Sequence, residues 1–300
     1  MLKIYLLGSI LVSLISLMVC QLNYRDIYAS SLSCRMGRLQ SPINLSDKYS
    51  SYNATTYPVY FNYVPVTNAY LDWSADNRIL TIKQTTPLAN WGYMGFTRGG
   101  VLKQYSLTGI EINFPAEHLI EGALAEAEIK LVHEKVLPFE TTVNQYRKMP
   151  DANTKLVISL LYSFSANNTD NGFMTQMLGT LPAIYKNGGF NYGTSQTLNL
   201  NTYGLFTNRQ FYFYDGAFTS EPCDEIVNYV VIKDNFFLSA QAKAVLNNAY
   251  SKYFNSTASK SISEYYGRSV SRNYMNVTEA SAGYIAFNLL AAICILFILF

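Results

Sequence analysis

Histidine is scarce in this chain: His118 and His133 are the two in 300 residues. A catalytic zinc centre takes three protein ligands, so a site using both histidines would still lack a third. Cysteine is also scarce. Of four, Cys20 lies in an N-terminal apolar run and Cys294 in a C-terminal one, which leaves Cys34 and Cys223 in the folded part. Two cysteines in a secreted chain are expected to pair, and no G-x-S-x-G occurs, so neither Cys-His nor Ser-His-Asp nucleophilic machinery has support. Excess charge of one sign is missing: Lys+Arg number 22 against 20 Asp+Glu, which provides no basic field for nucleic acid. Between Cys34 and Tyr250 there is no repeat, charge block or low-complexity linker to divide the chain, so that region reads as one domain.

What is abundant points to strands. Hydrophobic residues make up 49% of the chain, enough for a sizeable core, and 25 Tyr with 17 Phe suit a pleated, half-buried surface. Tyr57 to Val66, Ile79 to Gln84, Leu107 to Phe114, Ala127 to His133, Lys155 to Phe164, Gln210 to Tyr214 and Ile226 to Val231 read as strands, several with period two. Helical signal is thinner. Gly172 to Leu178 is a short candidate, and Ser239 to Phe254 a better one, with Ser239 as N-cap and Ala240, Ala244, Val245 and Ala249 near one face. The expected fold is mostly β with short helices (α+β), a single domain on one large mixed, mainly antiparallel sheet.

Both ends of the chain carry long apolar runs. Met1 to Cys20 has one cation, Lys3, before an apolar stretch that gives way to polar residues at Gln21; it reads as a secretory signal peptide, with a retained membrane anchor as the alternative. Tyr284 to Phe300 is uncharged over 17 residues and followed by no Lys or Arg. At about 1.5 Å per residue it would span roughly 25 Å, short of a ~30 Å hydrocarbon core. Small residues precede it, Ala280-Ser281-Ala282-Gly283, and an attachment site around Ser271 to Asn276 would give a better spacer. A glycolipid (GPI) anchor is therefore preferred to a single C-terminal transmembrane helix, and either one presents the domain on the extracellular face of the plasma membrane. The expected organisation is a signal at 1–20, a domain at 21–254, a Ser-, Asn- and Tyr-rich stalk at 255–282 and the hydrophobic tail at 283–300. Asn53, Asn167, Asn255 and Asn276 each open an N-x-[ST] triplet and are glycosylation candidates; Asn44 also opens one, within a tightly packed motif.

The centre of the chain is Tyr105 to Glu134, two strands whose alternation sets Leu107, Gly109, Glu111 and Asn113 on one face and Glu128, Lys130 and Val132 on one face of the next. Two polar positions at i and i+2 opposite a third on a neighbouring strand form the layout of a three-ligand metal site, here Glu111, Asn113 and Lys130. These strands and the words around them resemble the α-type carbonic anhydrase family. Its Q-x-H-x-H-W would lie on Gly109 to Phe114 and its E-L-H-L-V-H on Glu128 to His133, so all three zinc histidines are replaced. Gln40-Ser41-Pro42-Ile43-Asn44-Leu45 is similar to the family's Q-S-P-[IV]-[ND]-[IL], Ala116-Glu117-His118 to its S-E-H, and Tyr214 to Pro222 to its Y-x-G-S-L-T-T-P-P. The resemblance runs from about Cys34 to about Tyr250. It implies the same Cys34 and Cys223 pairing, a Glu and Thr relay at Glu117 and Thr219, a proton-shuttle position near Arg78, and outer-shell or core places for His118 and His133.

Zinc hydration chemistry needs neutral or anionic ligands that leave one position for water. Glu111 can serve, Asn113 is a poor neutral ligand, and Lys130 is a cation with no acceptor. Nor can arginine at the shuttle position move protons near neutral pH. No metal or other cofactor is expected, no catalytic residue set is intact, and a Lys130–Glu111 ion pair with Asn113 bonded to both is expected to fill the vacated position. The chain is accordingly expected to be a catalytically inactive, carbonic anhydrase-like cell-surface protein with a binding, adhesion or structural role, its partner an extracellular protein or glycan. The alternative is an enzyme, a carbonic anhydrase or esterase using a non-standard ligand set.

Overall fold

A computed structural model describes residues 34, 36–66, 69–74, 79–84, 90–136, 154–167, 173–174, 177, 199–203, 205–206, 208–254 and 260–275. The signal stretch 1–20, the tail 283–300, Arg78, Asn255 and Asn276 lie outside the described residues, as does most of the Gly172 to Leu178 candidate, of which Phe173, Met174 and Met177 are helical. In chain order the strands are β1 (Asn44–Leu45), β2 (Ser51–Tyr52), β3 (Tyr57–Tyr63), β4 (Ala69–Ser74), β5 (Ile79–Gln84), β6 (Gly92–Arg98), β7 (Val101–Asn113), β8 (Leu119–Ile120), β9 (Ala123–Leu124), β10 (Ala127–Lys135), β11 (Lys155–Phe164), β12 (Phe211–Gly216), β13 (Val227–Ile232), β14 (Phe236–Leu238) and β15 (Val270–Arg272), with one long helix, α1 (Ala240–Phe254).

Twelve of these strands form one sheet whose main path is β2-β15-β12-β13-β11-β10-β7-β5-β4, with β6 on the first half of β7, β3 on β6, and β14 on β11. Pairing is antiparallel except for β11 with β13, β11 with β14 and β15 with β2, so the sheet is mixed and mainly antiparallel, as expected. Its centre is covered on both sides. Strand β13, Val-Asn-Tyr-Val-Val-Ile, is buried at every residue: Val227, Tyr229 and Val231 join the smaller apolar cluster, and Val230 and Ile232 the larger one on the other face. Period two in the sequence thus sorts side chains between two cores rather than between core and water.

A bulge shapes the central strand. Val132 pairs with Gly109 but His133 pairs with Leu107, leaving Thr108 as an extra residue in β7 whose hydroxyl donates to the Val132 carbonyl at 3.1 Å. Leu107 is thereby carried to the opposite face from Gly109, Glu111 and Asn113, and joins the larger core with Ile110 and Ile112; strict alternation had placed all four on one face. Helix α1 covers that larger core. Its Ser239 N-cap accepts from the Ala242 N–H at 3.2 Å, as expected, but the buried stripe is Ala242, Leu246, Ala249 and Tyr250 at i, i+4, i+7 and i+8, while Ala240 and Ala244 face water. Among the described residues no helix is long and apolar enough to cross a membrane.

The stalk expectation is corrected for its described part. Residues 260–275 pack onto the domain: Ser263 bridges Ile43, β15 extends the sheet beside β12, and Arg272 is 1% exposed, donating from Nε to Ser50 Oγ at 3.1 Å and from Nη1 to the Tyr274 carbonyl at 2.7 Å. The segment looked structureless because its strand is three residues long and is held by side-chain bonds to distant loops. Cys34 and Cys223 are joined, 189 residues apart with Cα atoms at 5.1 Å, closing a loop worth roughly 4 to 5 kcal/mol in the chain-entropy model. Of the glycosylation candidates that are described, Asn167 is exposed on a bend, whereas the Asn53 side chain accepts from both N–H and hydroxyl of Thr55 at 2.9 Å.

His133 lies in the larger core, fully buried. Its Nδ1–H donates to the Leu156 carbonyl at 3.1 Å, which makes Nε2 the acceptor for the Tyr63 hydroxyl at 2.8 Å, so the neutral ring is fully bonded. Burial pushes its pKa down to about 4. The unfolded chain therefore binds this proton first, and stability present above the ordinary histidine range is lost as pH falls from about 6.5 toward 4. Urea unfolding at pH 7 and pH 5 should show the parent losing about 2 kcal/mol more than a His133→Phe variant over that interval. Equal losses would mean that His133 carries no such linkage.

Candidate functional site

The polar centre lies on the face of the sheet opposite His133. Lys130 in β10 is in register with Glu111 in β7 and Ser159 in β11, and Glu128 is in register with Asn113. Residues paired across antiparallel strands share a face, so Glu111, Asn113, Glu128, Lys130 and Ser159 all project to one side. The turn after β7 carries Glu117 and His118 back over this face, and the turn after β12 brings Thr219 to it.

Lys130 is 1% exposed and Glu117 5%; the ammonium forms an ion pair with the Glu117 carboxylate and donates to Thr219 Oγ1 at 2.7 Å. Burial alone would drive the lysine toward neutrality, but Glu117, Glu128 and Glu111 outweigh it and hold its pKa above the ordinary lysine value, so it is charged at any physiological pH. This corrects the expected pairing: among the described residues no ion pair joins Lys130 to Glu111, and Asn113 bonds neither. The physical reason is depth. Glu117 is nearly sealed from water and must have a partner, whereas Glu111 is half-buried and partly solvated. Burial raises the Glu111 pKa, against the lowering effect of Lys130. Asn113 Oδ1 and Ser159 Oγ are buried with no hydrogen-bond partner among the described residues.

Glu117 is held in place by a chain of hydrogen bonds that sequence reasoning missed. Glu128 is completely buried; its Oε2 accepts from the backbone N–H of Glu117 and His118 at 2.9 and 3.0 Å, and its Oε1 bonds His118 Nδ1 at 2.7 Å. Burial raises the Glu128 pKa, but His118, Lys130 and these bonds prevail and hold it well below the usual carboxylate range. From His118 the chain runs through Nε2 to the Tyr214 hydroxyl at 2.6 Å and on to Ser41 Oγ at 3.0 Å, which also accepts from the Ala217 N–H. Ser41 sits so close to Gly216 that a β-carbon there would stand 2.3 Å from its hydroxyl. The three short words Gln40-Ser41-Pro42, Ala116-Glu117-His118 and Tyr214-Asp215-Gly216 are therefore one structural unit. The signal for Glu128 was present, a carboxylate alternating with Lys130 on a strand, but no role was read from it; Glu121 and Glu126 nearby are explained by a charged turn. Those two do lie at the surface, Glu121 bonded to Ser46 and the Asp47 N–H, Glu126 to Lys243.

The donor set at the three expected ligand positions is one carboxylate, one neutral amide and one ammonium, and the ammonium is fixed by its own anion. Such a set does not fit a divalent cation, since Lys130 offers only donors and its charge repels the ion. Among the described residues no group of three His, Cys, Asp or Glu side chains is placed to hold a metal. His118 contacts the site from behind through Glu128; His133 lies on the other face.

Comparison with known proteins agrees with the fold. The model of the eukaryotic-type carbonic anhydrase family matches residues 26–277, which takes in the packed segment after α1. The chain is 25% identical over 244 residues to alpha carbonic anhydrase 4 of Arabidopsis thaliana, covering 79% of this chain and 76% of the relative. It is 25% identical over 233 residues to dioscorin dioA3 of Dioscorea japonica, covering 76% and 73%. Among solved structures it is similar in fold to dioscorin complexed with ascorbate, with a TM-score of 0.60, 22% identity and coverage of 83% of this chain and 91% of that one. A halotolerant carbonic anhydrase from Dunaliella salina gives a TM-score of 0.61 at 19% identity, covering 81% and 90%.

Removing Lys130 while Glu117 stays leaves a buried carboxylate without its cation. Lys130→Met should lower unfolding free energy by about 3 to 5 kcal/mol, the double variant Lys130→Met/Glu117→Gln should recover most of that, and Glu111→Gln alone should shift it by less than about 1 kcal/mol. Denaturant unfolding of the three variants measures this; a larger loss for Glu111→Gln than for Lys130→Met would restore the Lys130–Glu111 pairing.

Proposed function

Because the chain belongs to the eukaryotic-type carbonic anhydrase family and yet carries Glu111, Asn113 and Lys130 where the family's metal ligands are expected, we propose that it is a non-catalytic member, with a binding, adhesion or structural role on the outer surface of a cell. The observation that carries this reading is the fixed ammonium. Lys130 holds Glu117 and Thr219, the two residues whose counterparts would orient a metal-bound hydroxide, and so occupies the acceptors that such chemistry would use. Rotating it away would expose the buried Glu117 carboxylate. The pocket is thus kept intact as structure by a charge of the wrong sign for zinc.

Outward placement is supported by the Cys34–Cys223 disulfide, the signal-like stretch at 1–20 and the exposed Asn167, which opens an N-x-[ST] triplet. Attachment is through the 283–300 tail, as a glycolipid anchor signal, and the partner is an extracellular protein or glycan. Purified full-length protein should contain far less than one zinc per chain and leave the CO₂ hydration rate at the buffer value, whereas the triple variant Glu111→His/Asn113→His/Lys130→His should take up zinc. Stoichiometric zinc in the unaltered protein, with hydration above buffer, would make it an enzyme and overturn the proposal.

A further inference from the structure

On the opposite face of the sheet from Lys130, between β3, β6, β11, β12 and β13, lies a cavity of about 200 Å³. Phe61, Met94, Ile158, Phe206, Val230 and Ile232 form its apolar wall, with the Phe61 and Phe206 rings stacked at 4.1 Å and 15°, and Asn208 is among the polar residues that complete the lining. Among the described residues a single cation, Arg209, lines it. The guanidinium lies over the Phe236 ring at 4.7 Å, and its Nε is buried without a hydrogen-bond partner among the described residues. Asn273, also in the lining, is already committed: its Oδ1 accepts from the Phe211 N–H at 2.8 Å and its Nδ2 donates to the Arg209 carbonyl at 2.9 Å. It fixes the Arg209 backbone and leaves the guanidinium without a counter-ion from the described residues.

A guanidinium is planar and presents paired donors that match a carboxylate. Stacking on Phe236 pre-orients it, so little side-chain freedom remains to be lost on binding. A buried, unbonded N–H on a charged group beside an apolar cavity is a cost that a bound acid would relieve. We propose that this cavity binds a small monocarboxylic acid with an apolar body, the carboxylate on Arg209 and the body between the Phe61–Phe206 pair and the sheet. Pockets for drug-sized ligands run from about 300 Å³ upward, so this one suits a ligand on the order of ten non-hydrogen atoms. The cavity shares no residue with the Lys130 site, and its occupancy is independent of whether that site is catalytic.

The test uses 3-phenylpropionate and its neutral analogue 3-phenylpropan-1-ol as probes on the full chain, by calorimetry and by the methyl resonance of Met94. The acid should bind, shift that resonance, and lose about 10- to 100-fold in affinity for Arg209→Gln, while the alcohol binds parent and variant equally and so reports that the cavity persists. No binding of the acid, equal affinity of parent and variant for it, a parallel loss of acid and alcohol, or an unmoved Met94 resonance would each overturn the proposal.

Discussion

A lysine ammonium in a protein interior is tolerated only where acceptors surround it, and the centre of this sheet is organised about meeting that demand for Lys130. Glu117 and Thr219 accept from it directly, while Glu128 adds a second negative charge and clamps the backbone that presents Glu117. Each element is needed by the others. Without the ammonium, Glu117 is an isolated buried anion; without Glu128, the turn carrying Glu117 loses two backbone bonds; without His118, Tyr214 and Ser41, Glu128 loses its own support. A network of this kind holds together without a reagent, because its members are bound to one another.

The same network explains why scattered short words in the sequence travel together. Ser41 meets Tyr214 within hydrogen-bond distance and packs against Gly216 although it lies more than 170 residues from either in the chain, and the Cys34–Cys223 bond ties the same two regions. The sheet's other face is independent of this logic. It is filled by aliphatic and aromatic side chains, closed by α1, and polar chiefly at His133 with Tyr63 and at the Arg209 cavity. Two faces of one sheet thus carry different chemistry, the first a buried charged network and the second shaped by packing.

The strands of the sheet centre were legible because the second half of β7 and most of β10 alternate, and the three ligand positions followed from that alternation together with the family words. What was not legible depends on geometry that alternation does not encode. One bulge at Thr108 moves Leu107 to the other core, a change of face that no local pattern marks. Lysine's long stem let its head pass Glu111 and reach Glu117, whose depth of burial is a property of the folded turn and not of the strand. The run from Lys260 to Met275 looked like a tether because its anchoring is carried by Arg268 and Arg272, whose targets, the Asp215 carbonyl and Ser50, lie more than 50 and more than 200 residues away. Arg209 gave no sign at all, since a single cation among loop residues becomes noticeable only when no counter-ion is found beside it.

The central claim is that the place of a divalent ion is held by a fixed positive charge of the protein itself. Crystals of the full-length protein soaked in zinc and measured on both sides of the zinc absorption edge address it directly. The account predicts no anomalous peak among Glu111, Asn113 and Lys130, with the lysine head still bonded to Glu117 and Thr219. A tetrahedrally held ion at that position, with Lys130 displaced from Glu117, would contradict it.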